Sequence, residues 1–263
     1  MFRKLLKHEY IYIFKSFAPI YGIYLALTLV FKLLITLDCN SSVSDNSTTF
    51  DVAFYIVAIT FYLFTFILAL LTISNNVKRF KDNMFSHEGY LTNTLPVTPN
   101  QHILAKLIAG ASNYLASFFV ILMAINILLI GLSDFRILNK AIANVAKDTV
   151  TKHFSEFISF LLCSVAVYCA FMLFCYMVSS ITSVIGGKKA VGAGIVILAF
   201  FANIFIISMI SDITLSIVKS MSDCSYEFET IITFLLYAAV YSVIAVIEFL
   251  ITANNIKKHL NLQ

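Results

Sequence analysis

Charge is scarce in this chain. Asp, Glu, Lys and Arg make up 12% of its 263 residues, 60% are hydrophobic, and the mean hydropathy is +0.91. Soluble domains are about a quarter charged and about half apolar, so a sizeable water-soluble domain is excluded. Tryptophan is absent, so aromatic belts at a membrane boundary must come from the 13 Tyr and 25 Phe. Motifs for independent chemistry are missing as well. The histidines at 8, 87, 102, 153 and 259 are scattered without an HExxH, no GxSxG occurs, and no paired acidic motif lies within an apolar run. An enzyme working alone is therefore the weakest class. No GxxxxGK[ST] is present, so nucleotide binding would need another polypeptide. No CxxC or Cys/His spacing marks a metal site. The net charge of +4 does not point to nucleic acid, because the basic residues flank the apolar runs.

What the chain does have is apolar length. Six segments reach the roughly 20 residues a membrane crossing needs: Phe17–Leu37, Val52–Ile73, Leu107–Leu132, Ile158–Val184, Val191–Ile210 and Ile231–Ala253. The expected architecture is an all-α polytopic membrane protein, one domain over 1–263. The first apolar run is too long for a signal core and no small-x-small cleavage site follows it, so it is read as retained. With both ends inside, the inner segments hold Arg3, Lys4, Lys7, Lys15, Lys78, Arg79, Lys81, Lys106, Lys188, Lys189, Lys257 and Lys258. The outer ones hold only Arg136, Lys140, Lys147, Lys152 and Lys219. That bias sets both termini in the cytoplasm. Outer residues 133–157 place Phe135, Leu138, Ile142, Val145, Val150 and Phe154 near helical spacing, which fits an amphipathic helix on the outer interface. A re-entrant or cytoplasmic placement is the alternative. Cys163, Cys169 and Cys175 read as small hydrophobes, while Cys39 and Cys224 fall in outer loops where a disulfide is chemically possible.

Residues 1–15 form an amphipathic candidate. Phe2, Leu5, Leu6, Tyr10 and Ile13 share one face, opposed by Lys4, Lys7, His8 and Lys15. This predicts an interfacial helix on the inner leaflet that turns up at Pro19. Glu9 lies in its apolar face, which is costly unless a cation pairs with it. Lys78, Arg79, Lys81 and a partner protein are the candidates. The alternative is a helix rolled so that Glu9 reaches headgroup water.

The segment 74–106 is the chain's long basic, turn-rich loop. It offers a helix start at Asp82, an aromatic at Phe85 and a terminator at Gly89, followed by extended chain up to Pro96. Met84, Phe85, Tyr90, Leu91 and Leu95 cluster more densely than a solvated turn requires. A short cytoplasmic helix that docks a partner is the expectation, with Asp82, Met84, Phe85, Glu88, Gly89 and Tyr90 as its contact residues.

At this loop the sequence resembles a family. Phe85-Ser86-His87-Glu88-Gly89-Tyr90-Leu91-Thr92-Asn93-Thr94-Leu95-Pro96-Val97, with Gln101-His102-Ile103-Leu104-Ala105-Lys106, is similar to the cytoplasmic loop of small six-span permeases. These are the membrane subunits of type-2 ABC (ATP-binding-cassette) exporters of Gram-positive bacteria. Lys7-His8-Glu9-Tyr10 resembles their amphipathic start. The stretch from Ser179 to Ala190 resembles their turn between spans four and five, departing from it at Gly186-Gly187, where a larger polar residue is expected. The resemblance implies a bacterial cell-membrane protein that pairs with a second permease subunit and docks a cytoplasmic ATPase. ATP and Mg would sit on that ATPase, with no cofactor in this chain. The Asp82–Glu88 helix would be the coupling helix, with Glu9, Pro96 and Lys106 as structural or coupling positions.

Inside the spans, Lys32 lies close enough to an outer end to snorkel. Glu248 is an intramembrane carboxylate, for which a structural partner, a proton or a cationic substrate are all open. Asn113, Asn126 and Asn203 complete the possible intramembrane polar site and fit interhelical glue better than substrate ligands. The expected function is ATP-driven export of a hydrophobic or amphipathic substrate, such as an antimicrobial peptide or a lipid-like molecule. The alternative is a non-transporting sensor or immunity module that binds peptides at the outer leaflet.

Overall fold

The computed structural model describes residues 2–40, 47–85, 97–129, 154–184 and 226–260, with isolated positions between 201 and 216. Its elements are five long helices: α1 (Phe2–Asn40), α2 (Ser47–Phe85), α3 (Pro99–Leu129), α4 (Phe154–Val184) and α5 (Tyr226–Leu260). All five are long and apolar enough to cross a membrane, and no strand occurs among the described residues. The described part of the chain is therefore all-helical and of multi-pass character. The expected fifth crossing, 191–210, and the segment 133–157 lie largely outside the described residues. Cys39 is helical, Cys224 is not described, and the three cysteines of α4 carry free thiols.

Two boundaries differ from the sequence reading. Residues 2–15 are not a separate helix, because α1 runs unbroken from Phe2 through Pro19. Proline removes the hydrogen bond to the Lys15 carbonyl but does not force a stop, and membrane helices tolerate it when neighbouring groups take over. Likewise, α2 does not end at Ile73. It continues through Asn75, Lys78 and Asp82 to Phe85, so no helix starts at Asp82. Polar residues ended the apolar run there, yet none of them breaks a helix.

Helix directions follow from contacts at successive depths. Glu9 bonds Lys106 and Tyr21 bonds Asn113 and Ser117, so α1 and α3 run parallel. Arg79–Glu9, Asn75–Ser16 and Tyr24–Thr65 make α2 antiparallel to α1. Phe160 meets Phe234 near one end and Asn255 bonds Ser180 near the other, so α4 and α5 are parallel. All five helices therefore gather one end each at a common face. Arg3, Lys4, Lys7, Lys15, Lys78, Arg79, Lys81, Lys106, Lys257 and Lys258 all lie toward it. Glu156 and Glu229 lie toward the other end.

Lipid tails are as apolar as Leu, so packing, small residues and hydrogen bonds must hold such helices together. Ala105, Ala109 and Ala124 of α3 are fully covered. Ala109 lets Ile13 and Phe17 of α1 close on α3. At Gly110 an added Cβ would meet the Tyr168 hydroxyl at 3.3 Å and the Asn76 amide nitrogen at 3.4 Å. The main core lies toward the basic end, where Phe80 and Met84 of α2 join Ile103, Met172, Tyr176, Ala253 and Ile256. Phe80 stacks on Tyr176 at 4.0 Å, and Tyr114 stacks on Tyr168 at 4.6 Å.

Candidate functional site

The densest polar chemistry lies at the basic end, where three helices meet on Glu9. Glu9 as a whole is only 4% exposed. The Arg79 Nε of α2 donates to Oε2 at 2.6 Å, and the Lys106 Nζ of α3 donates to Oε1 at 3.0 Å. Each carboxylate oxygen thus takes one cation. Charge-assisted bonds of this length are the strong ones, and the carboxylate ties the cationic ends of two helices to a third. The Arg79 guanidinium also lies 3.5 Å from the centroid of the Tyr12 ring, within cation–π range. Tyr12 donates to Asn75 Oδ1 at 3.4 Å, and Asn75 in turn donates to Ser16 at 2.9 Å. One turn before Lys106, His102 is 2% exposed, and among the described residues neither ring nitrogen has a hydrogen-bond partner.

Deeper in the bundle a second network crosses the same helices. The Tyr21 hydroxyl contacts Asn113 Oδ1 at 2.9 Å and Ser117 Oγ at 2.7 Å, and Ser117 reaches Thr72 at 3.2 Å. Asn76 donates to the Tyr168 hydroxyl at 2.9 Å. These are interhelical bonds between buried or half-buried groups.

The sequence-derived residues separate accordingly. Of the three cations weighed for Glu9, Arg79 pairs with it while Lys78 and Lys81 are exposed. The second partner, Lys106, was not paired with Glu9 in the sequence. The signal was its inner-side assignment, but no pattern aligns two residues so far apart in the chain. Asp82, Met84 and Phe85 sit on the last turn of α2. Met84 is 5% exposed and committed to the core, so it is not an outward contact. Phe85 is half-buried against Phe80, edge to face at 5.9 Å. Glu88, Gly89, Tyr90 and Pro96 lie outside the described residues, as does Asn203. Asn113 is buried interhelical glue. Asn126 is exposed and, among the described residues, bonds the Leu122 carbonyl of its own turn, so it ties no helices together through that bond. Glu248 is buried in α5, one turn before Thr252, which donates to its carbonyl at 2.7 Å. Among the described residues no group of His, Cys, Asp and Glu could hold a metal ion. Comparison with protein-family models, curated proteins and solved structures yields no match.

The geometry is that of a mechanical junction. Arg79 and Phe80 are neighbours on α2 whose side chains point to different helices. Arg79 reaches Glu9, and through it Lys106, while Phe80 reaches Tyr176. The basic end of α2 is thereby joined to α1, α3 and α4, and Met84 and Phe80 extend the contact toward α5.

Proposed function

We propose that this chain is the permease subunit of a type-2 ABC exporter. In this reading a separate ATPase docks at the basic, cytoplasmic end, two permease subunits pair, and ATP hydrolysis drives export of a hydrophobic or amphipathic substrate. The observation that carries it is the continuation of α2 to Phe85. Beyond the apolar run that ends at Ile73, α2 rises about a further 18 Å to Phe85. The excess falls at the end marked by Lys78, Arg79 and Lys81, and leads directly into the segment that resembles the coupling loop. A push on that end is transmitted to other helices through Arg79 and Phe80. The parallel pairing of α4 and α5 also favours this topology, since it requires an additional crossing between them if both span the membrane.

The test is co-expression with a Walker-A ATPase from a neighbouring reading frame. The wild-type chain should co-purify it. Phe85→Ala should release or uncouple it, and Asp45→Ala should leave it bound. Equal recovery and equal hydrolysis rate with all three chains, or no recovery with wild type, contradicts the assignment.

A further inference from the structure

Between α1 and α2 runs an open groove of about 130 Å³, whose lining includes Ile20, Ile23, Leu27, Ile67, Leu68 and Leu71. Its walls are almost wholly apolar. Toward the basic end the groove's lining reaches Ile20 and Leu71. Beyond it the same two helices close on each other through polar groups, Asn75 donating to Ser16 at 2.9 Å and Tyr12 to Asn75 at 3.4 Å. Next comes Lys78. Ile67 and Lys78 are eleven positions apart, roughly three helical turns, and so share one stripe of α2. Both are exposed on it. The order along the crevice is therefore hydrocarbon-like, then neutral hydrogen-bonding, then cationic. From Leu71 to Lys78 the rise is about 10 Å.

That order is the order of groups in a phospholipid: acyl chain, ester region, phosphate. We propose that the α1–α2 crevice binds one membrane phospholipid with an anionic headgroup. A single acyl chain lies in the groove and the phosphate meets Lys78, about one turn of α2 beyond Asn75. The volume fits this occupant, because a void of about 150 Å³ holds one benzene-sized group; the groove takes part of one chain, not two. Charge selects the headgroup. Among the described residues Lys78 makes no ion pair, whereas the neighbouring Arg79 is engaged by Glu9. The site does not depend on the transport reading, since it needs neither ATPase nor substrate.

The test is native mass spectrometry of the purified full chain, titrated with phosphatidylglycerol or with phosphatidylcholine of the same acyl chains. The wild type should retain phosphatidylglycerol about fivefold better, the effect of one cation near a membrane surface. Lys78→Glu, at an exposed position that packing does not need, should erase that preference. Leu71→Trp, which fills the groove, should lower retention of both lipids. Equal retention by the wild type overturns the proposal, as does a phosphatidylglycerol preference that survives Lys78→Glu. Displacement by inorganic phosphate would make the site a free-anion site and overturn the lipid assignment. A dimer that Leu71→Trp dissociates would put a second copy in the groove, with the same consequence.

Discussion

Replacing Glu9 by Gln keeps the shape of the side chain and removes its charge. Arg79 and Lys106 would then face a neutral amide across their 2.6 Å and 3.0 Å contacts. Their fates differ. The Arg79 side chain is 18% exposed and can turn its guanidinium toward water. The Lys106 side chain is 4% exposed and must lose its 3.0 Å carboxylate in place. Removing one partner of a buried pair costs about 3–5 kcal/mol. With Arg79 relieved, the lower figure of about 3 kcal/mol is expected. For a chain of this size that corresponds to a fall in Tm of about 6–12 °C. A double variant, Glu9→Gln with Lys106→Met, should recover most of the loss, because the buried ammonium is gone as well. The assay is thermal unfolding of the purified full chain in detergent, followed by tryptophan-independent helicity. A single variant within about 2 °C of wild type would refute the argument, since such a shift leaves no room for a buried ion pair. A double variant less stable than Glu9→Gln would also refute it.

Other outcomes follow from the same packing. Phe80→Ala removes a fully buried ring stacked on Tyr176 and should cost about 3–5 kcal/mol in the same unfolding assay. Gly110→Ala should be nearly neutral. The roughly 1 kcal/mol gained in helix propensity offsets a displacement of a few tenths of an ångström at the Asn76–Tyr168 bond. Gly110→Leu should separate α3 from α4 and lower Tm sharply. Tyr21→Phe deletes the link from α1 to Asn113 and Ser117 of α3 and should cost only about 0.6 kcal/mol, at most about 1.7, as hydrogen bonds within membrane bundles do. For orientation, single cysteines on a Cys-free background at positions 4 and 257 should resist an impermeant reagent in intact cells. A cysteine at 229 should react, and the reverse pattern would invert the topology.

Helix type and membrane character were legible because apolar length and charge bias are local properties of the sequence. Glu9 was legible too, as a carboxylate in an apolar face. Its partners were only partly so. Arg79 was among three equivalent-looking cations, and only the rotation of α2 about its axis distinguishes it from Lys78 and Lys81. Lys106 required knowing that α1 and α3 lie side by side. The helix ends were misjudged for a related reason. Asn75, Asn76 and Lys78 end an apolar run, but α2 ignores that polarity because its last turns are held by Phe80 and Met84 packing on the core. Met84 looked like part of an exposed cluster for the same reason: an apolar residue next to polar ones carries no sign of which neighbour covers it. The continuity of α1 through Pro19 shows the limit of turn signals inside lipid, where unmet backbone groups make breaking a helix more costly than bending one.

In the proposed transporter the basic end of α2 receives the ATPase. A photo-cross-linking amino acid placed at Asp82, with a control at Glu229 on the opposite end, tests it most directly in the co-expressed complex. An ATPase adduct is expected from position 82, in a yield that ATP changes, and none from position 229. No adduct from 82 in a complex that otherwise co-purifies, or equal adducts from both positions, would contradict it.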